Sequence, residues 1–245
     1  MKVKFLGTSG YYQTTDRWTN CVAVPELGIV LDGGTGILRL RDNPVIQGDI
    51  NLLLSHYHHD HLDGIFALHS IAKGKIVNFY GRQVEQSVRG FFSEPFCSTP
   101  LREHDFTPVF HEIDNSSFRI NNARVQSREF THKTYPVLGF RIEYQGKTVV
   151  YVTDSFEPED EIDFVQRADL LIHECHYTNA DIKKALQEHH GFSRGVAELA
   201  RDAGVKRLAI CHLDPEKRNY SVLEEEIKRI FPNVFIPEDL QEVEV

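Results

Sequence analysis

Five of the six residues in His56-Tyr57-His58-His59-Asp60-His61 carry side chains that can ligate a metal, and the run directly follows the apolar stretch Leu52-Leu53-Leu54-Ser55. A short apolar run of this kind reads as a buried strand. The imidazoles and the carboxylate are therefore expected at a strand end, and the fold must supply a polar cleft there. Alternation along extended backbone puts His56 and His58 on one side, where both can grip one ion, and turns His59 away. Asp60 and His61 fall in the following turn and can reach a second ion. Imidazole with carboxylate suits borderline ions such as Zn²⁺, Mn²⁺ or Fe²⁺, and no thiolate in the run demands a softer metal.

Around this run the chain reads as alternating strands and helices. Strands are expected at Val3–Leu6, Gly28–Leu31, Leu52–Leu54, Ile76–Tyr80, Arg124–Phe130, Leu138–Tyr144, Val149–Thr153, Leu170–His173 and Leu208–Cys211. Gly28 and Gly146 sit at short connections and suggest hairpins, hence an antiparallel component. Helical patterns cover Leu62–Ala72, Gln83–Phe91, Asp181–Leu186, Arg194–Ala203 and Val222–Phe231. Ser193 is expected to cap the fourth helix and Gly204 to stop it, with a Ser221/Glu224 capping box opening the fifth. Ser93–Pro108, with three prolines among polar and aromatic residues, reads as a long irregular surface loop of the kind that is often functional. No linker divides the chain, so residues 1–245 are expected to form one domain.

Composition limits the partners. A formal charge of −9 opposes the phosphate contacts on which nucleic-acid binding rests, which disfavours a nucleic-acid partner without excluding it. The longest apolar runs, such as Leu170–Ile172, are strand-sized and far short of a bilayer span, so no membrane association is expected. The N-terminus, Met1-Lys2-Val3-Lys4-Phe5, alternates like a strand rather than opening a signal peptide, and a cytoplasmic protein is expected. Cys21, Cys97, Cys175 and Cys211 lie far apart without a C-x-x-C pair, as buried free thiols do.

The run at His56–His61, with Gly64 after it, resembles the H-x-H-x-D-H signature of the metallo-β-lactamase superfamily. Leu31-Asp32-Gly33-Gly34-Thr35-Gly36 resembles the family's strand-end turn, whose aspartate supports the metal ligands. Thr131-His132, Tyr151-Val152-Thr153-Asp154 and Ile210-Cys211-His212 are similar to the later ligand motifs of its phosphodiesterase branch. The resemblance implies a four-layer αβ/βα sandwich in the α/β class. It implies two divalent ions, Zn²⁺ first and Mn²⁺ or Fe²⁺ as alternatives, held by His56, His58, Asp60, His61, His132, Asp154 and His212. Asp154 would bridge the ions, and a homodimer is compatible with the resemblance.

The same resemblance implies hydrolysis of a small or cyclic phosphodiester by hydroxide bridging the ions. Two dications less Asp60, Asp154 and one hydroxide leave the site at a charge of +1, which favours a small anionic substrate. Glu174, in His173-Glu174-Cys175, is similar to a supporting acid of the family and is a candidate catalytic residue beside Asp60. The branch usually carries Gly-His-Ser-Thr before its penultimate helix, whereas this chain reads Gly191-Phe192-Ser193-Arg194. Phe192 then stands where the histidine is expected. His190, next to the flexible Gly191, is expected to swing in and take over as proton donor or phosphate ligand, near helix amides free to bind an anion. The runner-up is a transfer-RNA 3′-processing endoribonuclease. From another class, an iron-dependent oxidoreductase of cofactor biosynthesis would need a redox-active metal.

Overall fold

The computed structural model describes residues 1–217 and 219–245. Among these residues the chain forms strands β1 (Lys2–Gly7), β2 (Cys21–Val24), β3 (Ile29–Leu31), β4 (Ile50–Leu53), β5 (Ile76–Gly81), β6 (Thr107–Glu112) and β7 (Ser117–Ile120). They are followed by β8 (Ala123–His132), β9 (Tyr135–Tyr144), β10 (Lys147–Val152), β11 (Leu170–Glu174), β12 (Leu208–Cys211), β13 (Val234–Phe235) and β14 (Glu242–Glu244). The helices are α1 (Arg39–Asp42), α2 (His59–Leu62), α3 (Leu68–Ile71), α4 (Val84–Phe91), α5 (Pro158–Val165), α6 (Ile182–Glu188), α7 (Ser193–Asp202) and α8 (Ser221–Lys228).

Two mixed seven-stranded sheets result, in the orders β14-β1-β2-β3-β4-β5-β6 and β13-β12-β11-β10-β9-β8-β7. Period-two alternation decides which side chains meet. Phe5, Leu31 and Leu53 of one sheet face Phe140, Tyr151, Ile172 and Cys211 of the other across a shared core. The intervening residues turn outward: Leu6, Val30 and Leu52 pack under Leu68, Val84 and Val88, while Val150, Leu171 and Ile210 pack under Phe164, Val196 and Leu199. Helices thus cover both outer faces, giving the expected αβ/βα layering around one central core. All four cysteines are buried and free. No described helix is long and apolar enough to cross a membrane.

The hairpins follow their glycines. Gln145 and Gly146 both take positive φ between paired Tyr144 and Lys147, as a two-residue turn with the strands' own twist requires. Gly204 stops α7 with φ +66°, its N–H and that of Val205 closing back on Arg201 and Ala200 carbonyls.

Other expectations need correction. The pattern at Leu62–Ala72 is split into α2, a 3₁₀ turn at Asp63–Ala67 and α3. The break lies at Gly64, whose N–H bonds the Gly33 carbonyl and whose absent side chain would sit 2.0 Å from the Gly34 carbonyl oxygen. The helix is bent against the Asp32–Gly34 turn, which local periodicity does not encode. Ser193 and Ser221 are the first residues of their helices rather than caps. The Ser193 hydroxyl bonds the Tyr177 carbonyl, and Asn219 accepts the Ser221 N–H. Pro108 belongs to β6, an edge strand where a missing N–H is tolerated.

Candidate metal centre

Strands β3 and β4 run parallel, as do β10, β11 and β12, so their C-terminal ends open on common edges. Chain leaving those ends supplies the site: His56 and His58 beyond β4, Asp60 and His61 in α2, Asp154 beyond β10 and His212 beyond β12. His132 closes β8 at a tight turn to β9. Asp32, Asp154 and His212 adopt φ of +57°, +50° and +51°. Such left-handed conformations in non-glycine residues are costly, persist where surrounding contacts enforce them and cluster at functional sites.

The seven residues singled out in the sequence converge. His56, His58 and Asp154 bring ligand atoms within 4.8 Å of one another, as do Asp60, His61 and His212. A third group joins His132 and Asp154 to His190. Asp154 connects them, because its Oδ2 also lies 3.0 Å from His61 Nε2 and 3.3 Å from His212 Nε2. Asp60 Oδ2 lies 3.0 Å from His212 Nε2 and accepts the Tyr11 N–H at 2.7 Å. His59 is outside, exposed and paired with Asp63, as the alternation implied.

Proton bookkeeping tests whether this set fits a cation. Buried Asp32 takes the Ser55 hydroxyl, the Tyr151 hydroxyl and His61 Nδ1 on Oδ2 at 2.8, 2.5 and 2.8 Å. An ionised carboxylate only accepts, so His61 carries its proton on Nδ1 and turns its Nε2 toward Asp60 and Asp154. That Nε2 is buried without a hydrogen-bond partner. Ser55 spends its one proton on Asp32, so it accepts from His56 Nδ1 at 3.0 Å and leaves His56 Nε2 a bare lone pair. His56 Nε2 in turn approaches His58 Nδ1 at 2.9 Å. The donor set fits one or more borderline cations.

The electrostatics agree. Burial would raise the Asp60 and Asp154 carboxyls, yet His61 and His212 hold both well below the usual carboxylate range. Against burial, the same carboxylates push His61 well up. The pocket therefore draws positive charge to that ring, which a metal ion would supply in place of a proton. Burial lowers His132 to about 4 and pushes His56 well down, leaving both neutral as ligation requires.

Beside this cluster, Glu174 is buried at the end of β11 and Oε1 accepts the Gly191 N–H at 2.9 Å and His190 Nδ1 at 3.0 Å. Burial would depress His190, but the Glu174 carboxylate pushes it up to about 9. Its ring lies 4.9 Å from His132 and 6.0 Å from His212 between centroids. The expected swing of His190 is thus corrected: it already faces the cleft, held by Glu174. Phe192 points away and packs against Phe156 at 5.4 Å. The first two amides of α7 are not free for an anion either, since Ser193 N–H bonds the Tyr177 carbonyl and Arg194 N–H bonds Asn179 Oδ1.

The cleft over the cluster holds about 650 Å³ and also brings in Tyr11, Lys133, His176, Tyr177, Lys184, Glu188, Asp214 and Glu216. Sequence reading missed Tyr151, Tyr11 and His176. His176 stands two residues past Glu174, and its ring lies 5.1 Å from His190 at 24°. That closeness in sequence was the available signal. Tyr11 acts through its backbone and left none.

A family model described as "Beta-lactamase superfamily domain" matches residues 29–213. Ribonuclease Z of Thermoplasma volcanium is 23% identical over an alignment covering all of this chain and 97% of that protein. Ribonucleases Z of Streptococcus gordonii and of a Synechococcus species match at 32% and 37%, over 41% and 42% of this chain. These two alignments span about a third of each relative's length, 33% and 34%. Among solved structures, the metallo-β-lactamase fold protein YhfI of Bacillus subtilis superposes with a TM-score of 0.79 at 21% identity, covering 99% of both chains. Short-form human tRNase Z gives 0.75 at 20%, covering 100% of this chain and 99% of that one. A diphosphatase of the PhnP family gives 0.75 at 14%, covering 100% and 97%. The matched model includes every residue of the converging cluster, and this chain belongs to the metallo-β-lactamase superfamily.

Proposed function

We propose that this metal-dependent hydrolase is a dinuclear phosphodiesterase acting on a small anionic phosphodiester. The observation that carries the reading is the shared position of Asp154 between two groups of imidazoles, with His190 and Glu174 beside them. His56, His58, His132 and Asp154 would hold one ion, and Asp60, His61, His212 and Asp154 the other, with Zn²⁺ the first expectation and Mn²⁺ or Fe²⁺ also suited. Two such ions, when bound, acidify water and neutralise charge on a displaced phosphoryl group. The protein's own groups do the rest. Asp32 fixes the His61 ring, Glu174 fixes the His190 ring, and His190, protonated near neutral pH, hands its proton to the departing oxygen.

A transfer-RNA 3′-processing endoribonuclease is the second reading, favoured by the full-length likeness to ribonuclease Z. Against it stand the charge of −9 and the carboxylates Glu188, Asp214 and Glu216 in the lining of the cleft, which repel a polyanion. One panel tests both: metal-loaded protein against bis(p-nitrophenyl) phosphate and against a precursor transfer RNA. Turnover of the small ester that is lost to chelator and restored by Zn²⁺ or Mn²⁺ is expected. Efficient 3′ cleavage of the RNA with negligible turnover of the ester would reject the small-substrate reading.

Asp32→Asn is expected to weaken metal affinity by about 10–100-fold, because an amide cannot accept all three buried donors and releases the His61 ring. Competition with a chromogenic chelator measures this. Affinity equal to the parent's would remove Asp32 from the support of the site.

A further inference from the structure

A second cavity, of about 670 Å³, adjoins the cleft. Tyr57, Leu62, Phe66, Phe91, Phe96 and Tyr135 line it, and His59 is a wall common to both spaces. Three of its rings are exposed, Tyr135 at 40%, Phe66 at 49% and Phe96 at 79%. Lone exposed apolar residues are ordinary, but here several converge on a concavity that borders a polar reaction centre, as in sites that bind apolar parts of small ligands. Phe96 lies in the proline-containing loop that follows α4 and serves no part of the metal cluster.

The position of this cavity relative to the proton donor is set by a row of rings. Tyr135 lies 5.7 Å from His58 at an interplanar angle of 28°, His58 lies 5.7 Å from His132, His132 lies 4.9 Å from His190, and His190 lies 5.1 Å from His176. The apolar cavity therefore begins at one end of the row, and the donor stands toward the other. Around the donor end the cleft is polar, with Lys184, Glu188 and Asp214.

We propose that the apolar cavity is the subsite for an aromatic ester group that stays on phosphorus while the other, more polar, ester departs on the His190 side. This deepens the phosphodiesterase reading and rests on it. The substrate class becomes an acyclic, unsymmetrical phosphodiester with one aromatic ester. In the reaction a water oxygen bonds to phosphorus and its proton passes to solvent. The bond from phosphorus to the polar ester oxygen breaks, and that oxygen takes the proton of His190. The products are an alcohol and an aromatic phosphomonoester.

The test uses the metal-loaded protein and two measurements. Calorimetry compares phenylphosphonate with methylphosphonate, neither of which has an ester to hydrolyse. Turnover compares phenyl p-nitrophenyl phosphate with methyl p-nitrophenyl phosphate, which share a leaving group. Seating a ring in an apolar cavity is expected to favour the phenyl compound about tenfold or more in both measurements. Phe66→Ala combined with Phe96→Ala removes exposed rings that carry little of the core. It is expected to cut the preference to below about threefold with the methyl compounds unchanged. Equal affinity for the two phosphonates overturns the subsite, and so does an equal loss on both esters in the double variant. If phenylphosphonate binds tenfold tighter but neither ester is turned over, the phosphodiesterase reading fails, and the assignment of a retained ester fails with it.

Discussion

His190→Ala is expected to lower kcat/KM by about 10²–10⁴-fold on an alkyl phosphodiester and far less on a p-nitrophenyl ester. An alkoxide is a poor leaving group and needs a proton as the bond to phosphorus breaks, whereas p-nitrophenolate leaves without one. Glu174, itself buried and fixed by the Gly191 N–H, holds His190 Nδ1 at 3.0 Å, where the proposed proton donor would stand. This leaves Nε2 as the ring position available to a leaving oxygen. Glu174→Gln is expected to follow the same pattern, as it removes the charge that keeps His190 protonated. Metal content of both variants, read by elemental analysis, should equal the parent's. Equal losses on the alkyl and p-nitrophenyl esters, or none on either, would take the donor role away from His190.

Asp154→Ala is expected to abolish activity more broadly, by about 10³-fold or more on every ester, since several kcal/mol of charge stabilisation depend on both ions and each 1.36 kcal/mol is a factor of ten. Asp154 is the carboxylate shared by the ligand groups, and its left-handed backbone is held where β10 ends. Removing it leaves His61 and His212 facing each other across one carboxylate, Asp60, instead of two. Metal content is expected to fall with activity, and the drop should be the same for activated and unactivated esters. That uniformity separates Asp154 from His190. A variant that kept its metal and lost less than about tenfold would show that Asp154 does not bridge the ions.

Most of the site was legible because its residues lie at strand ends, where a short apolar run followed by a histidine or aspartate is visible in one dimension. His56, His58, Asp60 and His61 are adjacent in sequence, and His132, Asp154 and His212 each close or follow a readable strand. What was missed is tertiary. Tyr151 reads as one more inward-facing strand residue, and only the packing of the two sheets brings its hydroxyl to Asp32. Tyr11 contributes a backbone N–H, which any residue type supplies. His190 was expected to reach the cleft by a swing about Gly191, whereas the tight turn after α6 is what carries its ring to Glu174. Strands β2, β6, β7, β13 and β14 and helices α1 and α5 escaped detection because they are short, or carry proline or charge, and are stabilised by neighbours rather than by their own periodicity.

The two-ion arrangement is tested most directly by elemental analysis of the purified, metal-replete protein against its concentration. The convergence of His56, His58, His132, Asp60, His61 and His212 about Asp154 leads us to expect about two transition-metal ions per chain, both removed by chelator and both restored by Zn²⁺. A replete preparation that held one ion, or none, would contradict the dinuclear site and with it the phosphodiesterase mechanism built on it.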